Sequence, residues 1–226
     1  MKTISIRVGM MGLALAVGAG AAGCDKKETP RQETPTVKAD TPQADTPKPA
    51  GNAKLAEAKG TYTIDTVHSA VVFSAKHAGL GWTYGSFNQL SGKLVVDEDP
   101  SKSSIELEID ANSVFTANKK RDDHLKSPDF FNTAQFPKIT FKSRSIKASG
   151  ESKFDVEGDL TLHGVTKPLT VSMEHVGQGV FPMDKSYRVG FEGSTTIKRS
   201  DFGMKSMLEA AGDDVRFTVA IEAVRE

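Results

Sequence analysis

Phe154-Asp-Val156-Glu-Gly158-Asp-Leu160-Thr-Leu162 alternates apolar and polar residues without a break. A period of two puts every second side chain on one face of an extended strand, so one face is buried and the other wet. Ile105-Glu-Leu107-Glu-Ile109-Asp110 repeats the pattern upstream, and Val215-Arg-Phe217-Thr-Val219-Ala-Ile221-Glu-Ala223 repeats it near the C-terminus. Further strands are expected at 61–67, 70–76, 86–96, 138–146, 167–175 and 188–197. Sheets with one wet face are antiparallel, because parallel sheets are covered by helices on both sides. Turn signals separate the strands at Asp99-Pro100, Ser149-Gly150, His163-Gly164, Gly177-Gln178-Gly179 and Gly212-Asp213. One helical window, Asn118–Lys126, runs into Ser127-Pro128, where proline stops it. The region 61–226 is therefore expected to be all-β, an eight-stranded antiparallel barrel with one short helix.

Composition sharpens the class. The chain has 226 residues, 38% hydrophobic and 26% charged, and its 29 basic side chains balance 29 acidic ones. That excludes a collagen, a coiled coil and a polytopic membrane protein, and it speaks against a nucleic-acid partner, which usually needs a basic face. Nine basic and six acidic residues precede Thr61, leaving 20 against 23 in the domain, about −3, so no basic funnel is implied. A single cysteine gives neither an internal disulfide nor a multi-cysteine zinc site.

Ahead of the domain lie two segments of another kind. Lys2 and Arg7 precede the uncharged run Val8–Gly23, which is shorter than the ~20 residues a spanning helix needs. A basic start, a short apolar run and small residues make residues 1–23 a signal peptide. It ends at Ala21-Ala22-Gly23-Cys24, which resembles a bacterial lipobox, so Cys24 is the expected lipidation site and the alternative is ordinary secretion. The family pattern usually has Leu where Ala21 stands. Residues 24–60 form a tether with Thr-Pro at 29–30, 34–35, 41–42 and 46–47. Such a segment has too little apolar surface to offset ordering entropy, so it is expected to be a disordered spacer. The protein is expected in the bacterial cell envelope, facing the periplasm, with inner and outer membrane both open.

Several stretches of the domain together resemble the YceI-like family of bacterial periplasmic lipid-binding proteins. They are Asp65-Thr-Val-His68-Ser69 with Phe73 and His77-Ala-Gly79, then Arg121-Asp-Asp-His124-Leu-Lys-Ser-Pro128-Asp-Phe130-Phe131 running to Phe136-Pro137-Lys-Ile-Thr-Phe141. Gly158-Asp-Leu-Thr-Leu-His163-Gly164-Val-Thr-Lys-Pro168 and Arg199-Ser-Asp201-Phe202-Gly203 follow in the family's order. The resemblance implies a lipocalin-like barrel whose lumen takes a polyisoprenoid, an isoprenoid quinone or a similar long-chain amphiphile.

All twelve phenylalanines lie in the domain. Phe73, Phe141, Phe154, Phe191 and Phe217 fall on alternating strands and are expected inward, with Phe87 beside them; Phe130, Phe131 and Phe202 sit by turns or the helix and are expected near the mouth. An apolar lumen with a few placed polar groups is what an amphiphile site looks like, while core packing explains a share of the same rings. Arg121, Lys126 and Arg199 are candidates to meet an anionic head group, and His68, His77 and His124 to hydrogen-bond a ligand or close a barrel end. No histidine pair has the i, i+4 helical spacing of a zinc protease, and no nucleophile elbow or phosphate-cradling glycine loop is present, so neither metal nor other cofactor nor catalytic residue is expected. The expected function is a membrane-anchored binding protein for an isoprenoid or fatty lipid. An enzyme with a histidine-based site and an interaction domain with a filled core are the alternatives, and a homodimer stays open.

Overall fold

The alternating stretches become strands whose apolar residues turn to a common interior. The structure is a computed structural model that describes residues 55–226; the signal segment, Cys24 and the tether through residue 54 lie outside the described residues. The strands are β1 (Gly60–Ile64), β2 (Ala70–His77), β3 (Gly81–Phe87), β4 (Leu90–Val96), β5 (Ser104–Asp110), β6 (Val114–Phe115), β7 (Lys138–Ala148), β8 (Lys153–Leu162), β9 (Val165–Val180), β10 (Tyr187–Lys198) and β11 (Asp214–Arg225). Two short helices, α1 (Lys119–Lys126) and α2 (Leu208–Ala211), complete the set with a few single 3-10 turns.

These segments make eight antiparallel paths. β1 and β2 lie in line along β11, parted by a bend at Asp65–Ser69. β4 and β3 lie in line along them, and β5 with β6 along that pair. β7 to β11 follow as single paths, and β1 closes the barrel by pairing both β4 and β11. The stretch 86–96 thus divides at Asn88-Gln89, and its path starts earlier, at Gly81, than the alternation shows. Gly85 has a reason to interrupt the pattern: a Cβ there would collide with the inward ring of Phe73.

Register is fixed on both faces. Outside, Lys142 meets Glu106 at 2.6 Å, Lys138 meets Glu108 at 2.8 Å and Lys147 meets Glu157 at 2.9 Å, each pair joining neighbouring strands. Such exposed pairs add little strength, but a one-residue slip would turn them inward and the apolar set outward. Inside, a bulge between Ser143 and Ser145 lets both Phe141 and Ile146 face the interior although one position is odd and the other even.

β9 is longer than its alternation suggests, because the Gly177-Gln178-Gly179 stretch continues the strand and the turn comes after Val180. Its first half pairs only with β8; the register with β10 begins at Ser172. Pro168, which has no N–H to donate, is accommodated in that half. Across the unpaired seam the Thr195 hydroxyl donates to the Thr170 carbonyl at 3.1 Å.

The two barrel ends are plugged differently. At one end, Asn118 caps α1 by accepting from the Arg121 N–H at 3.0 Å. Buried Asp122 ties the helix to the end of β6 by accepting from the Thr116 N–H at 2.8 Å and from its hydroxyl at 2.5 Å. At the other end the packing begins ahead of Thr61, in a 3-10 turn at Leu55–Ala58. Ala58 is fully buried, and the buried Tyr62 hydroxyl donates to its carbonyl at 2.6 Å while accepting from Arg225.

Candidate functional site

Inward residues of β2, β3, β5, β7, β8, β9, β10 and β11 enclose a central cavity with about 720 Å³ of empty space, solvent at its openings included. About 70 Å³ of it takes the centre of a water-sized sphere, so it is a narrow slot. Leu107, Phe141, Leu160, Val171 and Phe217 are typical of its walls, and Thr140 and Thr195 carry its only hydroxyls. Leu169 and Thr195 stand on either side of the unpaired seam between β9 and β10. The slot does not end at the barrel centre. A second cavity toward α1 shares Leu162, Ile197 and Phe217 with it, and a third toward the Pro100 end shares Ile105 and Met173. Together they trace an apolar channel along the lumen.

The expected phenylalanines distribute over that channel. Phe87, Phe141 and Phe217 line its centre, Phe154 and Phe191 its Pro100 end, and Phe73, Phe130, Phe131 and Phe217 its helix end. Phe73, Phe87 and Phe131 also pack on each other with ring centres 5.4 to 6.5 Å apart. Phe202 is buried in the 3-10 turn Arg199–Phe202 and lines none of the three cavities; its carbonyl accepts from His163 Nδ1 at 2.9 Å.

Among the expected polar residues only Arg199 lines the channel. Arg121 is spent on Thr116, just past β6, donating to its hydroxyl at 2.8 Å and its carbonyl at 2.7 Å. His124 is exposed, 3.0 Å from Asp129, with Phe130 edge-on to its ring. His77 is exposed at the end of β2, where its carbonyl accepts the turn N–H of Leu80. The aliphatic walls went unnamed from sequence although the same alternation marks them. Two polar side chains outside the three cavities were missed as well: His175 packs at a tilt against Phe191, and its Nε2 and the Gln178 amide are buried without partners among the described residues. Burial pushes the His175 pKa down, so the ring is neutral at pH 7.

His68 belongs to a separate cluster outside the lumen. Asp65, His68 and Glu222 converge closely enough to hold a cation, and Arg188 already supplies one, with Nη1 at 2.6 Å from both carboxylates. Hydrogen bonds from the His68 ring, the Val67 N–H and Arg188 hold the Asp65 carboxyl well below the usual carboxylate range, against some desolvation. A depressed native value stabilises the fold fully above about pH 4 and ceases to do so as pH falls through that native value. Asp65→Asn is therefore expected to lower the melting temperature near neutrality and to lose that deficit progressively as pH falls from about 4 to 2 and below. A deficit constant across that range in paired melting curves would contradict the cluster's role.

Fold and lumen define the class: a closed, lipocalin-like antiparallel barrel around an apolar channel. The model of the YceI-like domain matches residues 62–223, and the chain belongs to the YceI-like family. It is 42% identical over 180 residues to a UPF0312 protein of Pseudomonas aeruginosa, covering 78% of this chain and 91% of that one. A UPF0312 protein of Pectobacterium atrosepticum is 40% identical over 178 residues, with the same coverage. Among solved structures, BcnA of Burkholderia cenocepacia superposes with a TM-score of 0.65 at 25% identity, covering 70% of this chain and 98% of that one. The YceI protein of Campylobacter jejuni gives 0.61 at 28%, covering 67% and 90%. A domain of Saccharophagus degradans described as polyisoprenoid-binding shares the fold, with a TM-score of 0.59 at 20% identity, covering 73% and 98%.

Proposed function

We propose that the protein binds a polyisoprenoid, an isoprenoid quinone or a similar long-chain amphiphile in its lumen, and presents it at a bacterial membrane to which Cys24 anchors it. The observation that carries the binding role is the channel itself: three neighbouring cavities that share walls and are almost wholly apolar. Each methylene moved from water into such walls contributes ~0.8 kcal/mol, so a slender chain suits the slot better than a broad, compact ligand. The described lumen offers no nucleophile and base side by side, which favours holding a ligand over transforming one. The polyisoprenoid-binding domain with the same fold supports the choice of ligand class.

Binding is tested by melting delipidated protein with and without an added isoprenoid alcohol or fatty acid. A concentration-dependent rise is expected, since a ligand that binds only the folded state stabilises it by mass action. Melting that is indifferent to every chain tried would count against the proposal.

Anchoring rests on the signal segment ending in Ala-Ala-Gly-Cys and on the tether behind it. A diacylglycerol and an N-acyl chain on one cysteine supply the more-than-one hydrocarbon chain that stable attachment requires. Cys24→Ser is expected to abolish incorporation of labelled palmitate and to move the protein from the membrane to the soluble fraction. Undiminished labelling of the variant would refute the anchor.

A further inference from the structure

One charged group lies in the channel, and it lacks a charged partner. Arg199, on the turn after β10, is 4% exposed and lines the cavity at the α1 end among Phe73, Phe130, Phe131, Met204 and Val215. Its Nε donates to the Gly212 carbonyl at 2.7 Å and its Nη1 to the Met204 carbonyl at 2.9 Å. Its Nη2 is buried with nothing to donate to, and the guanidinium rests 5.5 Å from the centre of the Phe130 ring. Among the described residues no carboxylate forms an ion pair with it. Asp213, the acid whose field it feels, already accepts from the Ser200 N–H at 2.9 Å and hydroxyl at 2.8 Å.

A buried cation without a counter-charge is an expensive arrangement. Two carbonyls solvate part of it, yet moving an ion out of water still costs several kcal/mol unless an opposite charge accompanies it. Guanidinium does not escape by losing its proton in a protein. It is instead the side chain whose planar array of N–H groups matches carboxylate and phosphate oxygens, and low-dielectric walls strengthen such charge-assisted bonds. The cavity at the Pro100 end has nothing comparable, since its lining carries no charged side chain.

We propose that Arg199 is the receptor for an anionic head group, a carboxylate or a phosphate monoester, on the amphiphile whose tail occupies the central cavity. This inference rests on the lumen being a lipid site and adds two things to it: the charge of the ligand and its direction. The lipid lies with its head at the α1 end, against Nη2 of Arg199, and its tail runs past Leu162, Ile197 and Phe217 into the slot. Discrimination is expected to be strong, because a neutral head leaves the guanidinium unmatched in an apolar pocket while an anionic head supplies the missing charge.

Three probes with one tail separate the possibilities: farnesoic acid, farnesyl monophosphate and farnesol, titrated by calorimetry into the purified, delipidated protein. The wild type is expected to bind at least one anionic probe about tenfold or more tighter than farnesol. A preference for the acid over the phosphate, or the reverse, identifies which head the site takes. Arg199→Gln is expected to bind all three alike, near the strength of farnesol on the wild type, and Arg199→Lys to keep part of the preference. Farnesol binding as tightly as both anions to the wild type would overturn the head-group assignment while leaving the lipid lumen standing. So would an Arg199→Gln protein that keeps the full preference. Should none of the three probes bind, both the lumen and the head-group assignment fall. If Arg199→Gln does not fold, the wild-type preference and the Arg199→Lys response decide the question.

Discussion

Phe141→Ala is expected to remove most of the melting-temperature rise that lipid gives the wild type. The ring is half-buried and lines the centre of the slot, opposite Leu107 on one neighbouring strand and Leu160 on the other. It lies across the backbone of Gly158, where a Cβ would come within 2.6 Å of its Cζ, so the strand leaves room for the ring at that position. Because it borders empty space, its loss should take only about 1–3 kcal/mol from the lipid-free domain, less than a fully enclosed phenylalanine. A ligand at a hundred times its dissociation constant stabilises the wild type by ~2.7 kcal/mol, or roughly 5–10 °C for a domain of this size. The variant loses part of the wall that grips the chain and should show a clearly smaller rise. Equal rises in both proteins would mean that Phe141 does not line the ligand.

Phe87→Ala should behave in the opposite way, with a large loss of stability before any ligand is added. Phe87 is only 2% exposed, and its ring meets those of Phe73 at 5.5 Å and Phe131 at 5.4 Å. It therefore joins β3 to the segment after α1 that plugs the barrel end. Truncating a fully buried phenylalanine costs about 3–5 kcal/mol, roughly 6–20 °C in melting temperature here. A fall of only a degree or two would show that the plug is not held by this cluster. The contrast between the two rings separates walls that hold a ligand from walls that hold the fold.

How far the sequence announced this depended on how local each feature is. Period-two alternation is set by neighbouring residues, and it revealed β5, β8 and β11 almost to their ends. The helix was equally plain: the window Asn118–Lys126 ahead of Ser127-Pro128 matches the observed Lys119–Lys126, with Asn118 turning out to be its cap. Gly81 and Gly85 hid the first half of the β3–β4 path, since glycine ordinarily punctuates a strand, whereas Gly85 yields space to a ring from β2. The glycines at 177 and 179 misled in the same manner, because they belong to a strand that outruns its neighbour.

The site was legible in proportion to the same locality. Inward phenylalanines follow from parity within a strand, so Phe73, Phe141, Phe154, Phe191 and Phe217 could be assigned to the interior from the chain alone. Arg121 and Arg199 look alike in sequence, each a basic residue near an aspartate. What distinguishes them is their surroundings: Arg121 is tied to Thr116, just ahead of its own helix, while Arg199 is folded into a cavity with an open donor. No residue spacing encodes that an acid fails to arrive within reach of a buried cation.

The central claim is that the lumen carries a long-chain amphiphile, and native mass spectrometry of the protein purified from a bacterial envelope tests it most directly. The account predicts a one-to-one adduct whose mass, once released, is that of a single long-chain lipid, and which is depleted in Phe141→Ala. Only the bare protein mass under gentle ionisation, together with a melting temperature that no added lipid moves, would contradict it and leave a barrel filled by its own side chains.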